Sequence, residues 1–265
     1  ALSLDGSVLA VGAPGSDTDD LGDSNLGSVS VFRFQDADWS QIGSVLTGNA
    51  DRDYFGHSVA LSSDGSVLAV GAAYALDLDD PEETPPGYTS VYRLVEEVWT
   101  QVGSTLSGEV PGDLFGVSIA LSADGSIMAV GASVDPDVIF WGQRKPGFVY
   151  VFILIEDEWN LLGDRLDSEN DGDGFGNSLA LSPDGAVLAV GCGDEPFGPG
   201  DARVLALLEG NWQQIGRRIN GKSNFDFFGA SVALSSDGRT VAIGAIQYDE
   251  DGLRPGYVSL YQLEE

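Results

Sequence analysis

The sequence predicts an all-β chain: a β-propeller of five blades, each blade one four-stranded repeat of 53–60 residues, or else part of a larger propeller. Three observations carry this expectation. The element Ala-Leu-Ser begins at residues 1, 60, 120, 180 and 233, at spacings of 59, 60, 60 and 53. A tryptophan that opens Trp-x-x-[Ile/Val/Leu]-Gly follows at Trp39, Trp99, Trp159 and Trp212. No segment holds a 3.6-residue apolar period between helix caps, so almost no helix is expected.

The elements follow in order within each repeat. The first strand is Val-Ala-Leu-Ser, as in Val59 to Ser62. Ser62-Ser63-Asp64-Gly65 then reads as a tight turn, because glycine accepts the positive φ that hairpin turns require. Pro183 stands at the second turn position of the fourth copy, where its fixed φ suits a type I turn. The second strand, Val-Leu-Ala-Val-Gly-Ala, is apolar on both faces, as expected between packed sheets. An acidic loop leads to an alternating third strand such as Ser28 to Phe32, and the fourth strand begins at the tryptophan. One blade cannot bury both faces alone, so neighbouring blades must do it. The chain is read as one domain, 1–265, with repeats near 1–50, 51–110, 111–170, 171–223 and 224–265. The fifth copy stops before its tryptophan and the first lacks the residues that precede Ala-Leu-Ser elsewhere. The expectation is a trimmed or processed N-terminus and a seam completed by a segment from elsewhere.

Four copies carry Phe-Gly-x-Ser before that element: Phe55-Gly56-His57-Ser58, Phe115-Gly116-Val117-Ser118, Phe175-Gly176-Asn177-Ser178 and Phe228-Gly229-Ala230-Ser231. The second strand ends in Gly-Ala, and Gly12-Ala13-Pro14 in the first copy. This pattern resembles the FG-GAP repeat of integrin alpha-subunit propellers and related microbial and algal surface proteins. The resemblance covers essentially the whole chain and implies the propeller fold. Two departures stand out. The calcium loop that integrin-type repeats often hold between strands one and two is replaced by a short Ser-x-Asp-Gly turn. Integrin propellers also have seven blades, against five units here.

Charge narrows the partners. Twelve Lys+Arg against 42 Asp+Glu give −30, and only Lys145 and Lys222 are lysines. Such a polyanion does not neutralise nucleic-acid phosphates, and an anionic membrane surface repels it. The longest apolar run, Phe148 to Ile155, is too short to insert into a bilayer. One cysteine, Cys192, and one histidine, His57, exclude an internal disulfide, a Cys-rich zinc site and any site needing two histidines. Cys192 replaces the alanine of Gly-Ala and reads as a small buried residue. His57 sits where other repeats have Val117, Asn177 and Ala230, and reads as structural or exposed.

Candidate sites fall on the loops. With strand one innermost, the 2–3 and 4–1 loops share a face that holds 26 of the acids against 13 on the other, which makes it the expected contact face. Within one 4–1 loop, Asp167, Glu169 and Asp171 alternate before Gly172, with Asp173 next, a pattern suited to a hard cation such as Ca2+. The glutamate expected at the twelfth position is replaced by Ser178. Asp53, Asp113, Asp173 and Asp226 each lie two residues before the repeated Phe, which a local Asx-type turn explains without a ligand. Tyr74, Phe140, Trp141 and Phe197 stand among the loop acids as candidate anchors for a partner.

Two functions are compatible with these residues. The first is a non-enzymatic interaction, adhesion or architectural module of a larger assembly, holding a protein or glycan through the acidic face or the incomplete fifth blade. The expected compartment is extracellular or the cell surface, or alternatively an organelle lumen. The second is a carboxylate-dependent glycoside hydrolase, which needs two acids that break the repeat pattern. Strand one, monotonously Val, Ala, Leu and Ser, supplies none.

Overall fold

The computed structural model describes residues 1–16, 25–73, 85–133, 146–169, 173–193, 198–246 and 255–263. Every regular element among them is a β-strand. The first repeat has β1 (Val8–Ala13), β2 (Ser28–Gln35), β3 (Asp38–Gln41) and β4 (Leu46–Thr47). The second has β5 (Phe55–Leu61), β6 (Val67–Ala72), β7 (Tyr88–Val95), β8 (Val98–Gln101) and β9 (Leu106–Ser107). The third has β10 (Phe115–Leu121), β11 (Ile127–Ala132), β12 (Phe148–Ile155), β13 (Glu158–Leu161) and β14 (Leu166–Asp167). The fourth has β15 (Phe175–Leu181), β16 (Val187–Cys192), β17 (Asp201–Leu208), β18 (Asn211–Gln214) and β19 (Ile219–Asn220). The fifth has β20 (Ser231–Leu234), β21 (Thr240–Ala245) and β22 (Tyr257–Gln262).

The chain divides, within the third repeat, into two compact units: Ala1–Ile127 with Ile153–Asn160, and Met128–Phe152 with Leu161–Glu265. In the first unit the sheets run β1-β2-β3 and β5-β6-β7-β8, all antiparallel. In the second they run β15-β16-β17-β18 and β20-β21-β22. Four strands per repeat were expected; an additional strand, two residues long, pairs with the third strand in each of the first four repeats (β4 on β2, β9 on β7, β14 on β12, β19 on β17). It is too short to leave an alternation in the sequence.

In the second, third and fourth repeats the Phe-Gly pair belongs to the first strand and does not merely precede it, whereas in the fifth Phe228-Gly229 lies before β20. Phe55 pairs with Ala72 and Ser58 with Gly71, so the ladder skips across Gly56 and His57 as a bulge. Gly56 takes φ +90°, and its counterparts Gly116, Gly176 and Gly229 take +89° to +98°, which is why glycine follows each phenylalanine. The bulge turns the phenyl ring inward. Phe55 packs with Val29 and Val31 of repeat one and Val70 and Ala72 of its own repeat. Phe228 repeats this among Ala202, Val204, Val241 and Ile243. Burying each ring contributes about 1.5–3 kcal/mol.

The turn after strand one is closed by its aspartate. Asp64 Oδ1 accepts the Ser62 hydroxyl at 2.7 Å and the Ser66 N–H at 2.9 Å, and Ser62 Oγ accepts the Val67 N–H at 2.9 Å. Strands three and four are joined by two left-handed residues, such as Glu96 (φ 49°) and Glu97 (φ 65°), the geometry of a type I′ hairpin.

Candidate functional site

The four aspartates before the repeated phenylalanines are structural anchors. Asp53 is fully buried, and its Oδ2 accepts the N–H groups of Asn49 (2.7 Å) and Ala50 (3.0 Å) and the hydroxyl of Tyr88 (2.6 Å). Asp226 accepts the N–H groups of Lys222 and Ser223, both at 3.0 Å, and the Tyr257 hydroxyl at 2.7 Å. Asp113 accepts those of Glu109 and Val110, both at 2.9 Å. The expected local backbone bond is thus present, but in these three copies it reaches back three and four residues. The forward Asx-type turn occurs at Asp173, whose Oδ1 accepts the Phe175 N–H at 3.1 Å.

The carboxylates proposed for calcium are engaged with the protein. Asp167 lies in β14 and pairs with Arg165 at 2.8 Å. Glu169 pairs with Arg218 at 3.0 Å. Asp173 is buried, accepts the Ser168 hydroxyl and faces Arg203 at 3.5 Å. Asp171 lies outside the described residues, as do the candidate anchors Tyr74, Phe140, Trp141 and Phe197. Among the described residues no group of three or more His, Cys, Asp or Glu side chains converges as a cation site.

Asp173 instead belongs to a buried polar cluster peculiar to the fourth repeat. Asp201, counted in sequence as a loop acid, begins β17 and pairs with Cys192 across the ladder. Arg203 is buried, lies 4.9 Å over the Phe175 ring, and faces Asp201 at 3.7 Å as well as Asp173. Arg218 completes the cluster, 3.3 Å from Asp201. Burial pushes the Asp201 carboxyl up, against the pull of Arg218. Burial, then the charges of Asp201 and Asp173, pushes the Cys192 thiol up. Cys192 is fully buried, as its replacement of a small alanine implied. A signal for the cluster was present in the sequence. At the two positions held by Asp201 and Arg203, the other repeats carry Ser28 and Ser30, Tyr88 and Ser90, Phe148 and Tyr150, and Tyr257 and Ser259. Only the fourth copy brings an acid and a base there. Asp173, Asp201 and Arg203 are withdrawn from solvent and face one another as ion pairs, so removing one partner would leave the others as uncompensated buried charge.

The fifth repeat differs in the opposite way, by exposure. Val29 and Val31 in β2 are 0% and 2% exposed, and Val149, Val151 and Val204 are equally buried. Their counterparts in β22, Val258 and Leu260, are 69% and 72% exposed. Ile246, just past β21, is exposed beside them. Three strands therefore present an apolar face that the earlier repeats bury. Ser231, Gly244, Ala245, Ile246, Gly256, Tyr257 and Val258 line an open cavity of about 370 Å³ on it. Apolar side chains are likewise exposed in the first repeat, at Leu2, Leu4 and Val11.

No helix among the described residues is long and apolar enough to cross a membrane. No family model matches the sequence, and no curated protein matches it. Solved structures do. Hydrazine synthase from Kuenenia stuttgartiensis is 16% identical, with 99% of this chain and 62% of that chain covered and a TM-score of 0.59. Sqt1 from Chaetomium thermophilum, bound to the N-terminus of ribosomal protein L10, is 18% identical, with 98% and 57% covered and a TM-score of 0.56. The Agrobacterium tumefaciens protein described as TolB is 12% identical, with 99% and 75% covered and a TM-score of 0.50. The chain spans less than two thirds of the first two neighbours. At these identities the likeness is one of fold, and the fold is all-β, of antiparallel sheets, with propeller-like neighbours.

Proposed function

We propose that this chain is a non-enzymatic propeller module of the FG-GAP type, one repeat to a blade, that joins a larger surface or secreted assembly through its fifth repeat. The observation that carries this reading is the bare face of β22, where Val258 and Leu260 are 69% and 72% exposed. A contiguous apolar face on an otherwise strongly acidic protein marks a contact surface. The net charge of −30 keeps the rest of the molecule from associating indiscriminately. The glycoside hydrolase reading finds one repeat-breaking acid, Asp201, beside the repeated Asp173. Both, however, are buried and face Arg203, which speaks against their meeting a substrate.

Sedimentation of the wild type against the Val258→Asp/Leu260→Asp variant tests the proposal. Wild type should associate with rising concentration and the variant should not, with neither releasing reducing sugar from a glycan panel. A wild type that sediments as one species at every concentration would overturn the contact face. Sugar release abolished by Asp201→Asn would establish the hydrolase in its place.

A further inference from the structure

The joints between consecutive repeats show what the cavity on the fifth sheet is shaped to receive. A Cβ on Gly71 would collide with the carbonyl oxygen of Gly116, and one on Gly191 with that of Gly229, so each strand-two glycine is covered by the Phe-Gly bulge of the following repeat. The Ser58 hydroxyl donates to Gly116 O and the Ser178 hydroxyl to Gly229 O, each at 2.7 Å. The incoming phenylalanine is fixed by its own N–H, which donates to Leu26 O, Pro86 O or Pro199 O at 2.9–3.1 Å for Phe55, Phe115 and Phe228. Its backbone lies along the glycine that follows, in parallel bridges Gly27↔Phe55 and Gly87↔Phe115.

The fifth repeat contains every receiving part. Ser231 corresponds to Ser58 and Ser178, Gly244 to Gly71 and Gly191, Pro255-Gly256 to Pro86-Gly87 and Pro199-Gly200, and Val258 to Val29. Ser231, Gly244, Gly256 and Val258 line the cavity. A Cβ on Gly244 would meet only Ser231. We propose that this cavity is the receptor for a β-strand carrying Phe-Gly-x-Ser, contributed by a further repeat of the same kind from outside residues 1–265. A second copy of residues 1–265 can meet this face only without inserting a phenylalanine, since Phe55, Phe115, Phe175 and Phe228 are all buried in their own joints. The inference rests on the fifth repeat being the contact site and adds the chemistry of what it contacts.

The test uses a fluorescent peptide with the sequence of residues 53–61, Asp-Tyr-Phe-Gly-His-Ser-Val-Ala-Leu. It should bind the whole chain saturably and slow amide exchange at Gly244–Ile246. A Phe→Ala peptide, or the Val258→Asp protein, should bind at least about tenfold more weakly. Val258 is exposed, so the variant should keep its fold, to be checked by an unchanged circular-dichroism spectrum. Equal binding of a scrambled peptide, or no saturable binding at millimolar peptide, would overturn the receptor. Concentration-dependent association in sedimentation would then still stand, which separates this failure from that of the contact face itself.

Discussion

Ser178 donates its hydroxyl to the carbonyl oxygen of Gly229, 2.7 Å away and 51 positions along the chain. The bond is possible only because Gly191, between them, has no side chain. Gly191→Ala should therefore cost about 3 kcal/mol or more, since backbone and not a flexible side chain must yield. At the equivalent Gly244, the close contact of an alanine Cβ is with the Ser231 hydroxyl, which can rotate, the backbone oxygen lying at an ordinary 3.7 Å, and the change should be nearly neutral. Urea unfolding of the two variants checks the contrast.

The buried charges of the fourth repeat make a second prediction. Arg203→Ala strands Asp173 and Asp201 without their shared cation and should destabilise by about 3–5 kcal/mol. The double change Asp201→Tyr/Arg203→Ser restores the residues of the second repeat, where the Tyr88 hydroxyl donates to Asp53 at 2.6 Å. It should lose less than Arg203→Ala alone. Equal losses in thermal unfolding would refute the pairing.

Tryptophans report on the joints. The indole N–H of Trp99 donates to Ile42 O and that of Trp159 to Val102 O, both at 3.2 Å, and that of Trp212 to Leu162 O at 3.0 Å. Trp39 is 40% exposed against 7% for Trp99. Trp99→Ala should cost about 3–5 kcal/mol, and Trp39→Phe within about 0.5 kcal/mol. Acrylamide should quench wild type more strongly than Trp39→Phe.

The turn aspartates set the acid limit. The Ser7 N–H and then the Ser3 and Ser7 hydroxyls hold Asp5 down to about 2. At Asp64 and Asp124 the serine hydrogen bonds outweigh the opposing effect of burial, and at Asp184 and Asp237 they dominate outright, so all four lie low. A depressed carboxyl stabilises the fold above its unfolded pKa, about 3.9, and loses that contribution as pH falls through the folded value. Melting temperature should hold above about pH 4 and fall toward about pH 2. Asparagine at all five turns should flatten the fall. Asp201, raised by burial, has the opposite sign: its ionisation weakens the fold as pH rises, and Asp201→Asn should remove that slope.

Much of the architecture was legible because it repeats. Asp-Gly turns, an apolar second strand and Phe-Gly-x-Ser recur with fixed spacing, and each has a local backbone reason. The FG-GAP resemblance led to the same fold, and the solved neighbours share the fold without pointing to that family. The fourth-repeat cluster escaped because Asp201 reads as one more acid in an acidic loop until the repeats are aligned column by column. The fifth repeat was expected to make contact through its incomplete edge, but the bare apolar face itself was not legible, for another reason. Val258 is as ordinary a strand residue as Val29, and only the three-dimensional joint shows that one is covered and the other is not.

Beside the buried phenylalanine and tryptophan rings, the closest approach between repeats is made of atoms every residue possesses: a glycine carbonyl, an α-carbon, an amide proton, with one serine hydroxyl added. Such a coupling places little demand on the loops at its margins. Duplication or loss of one whole unit through unequal recombination leaves each remaining joint chemically unchanged.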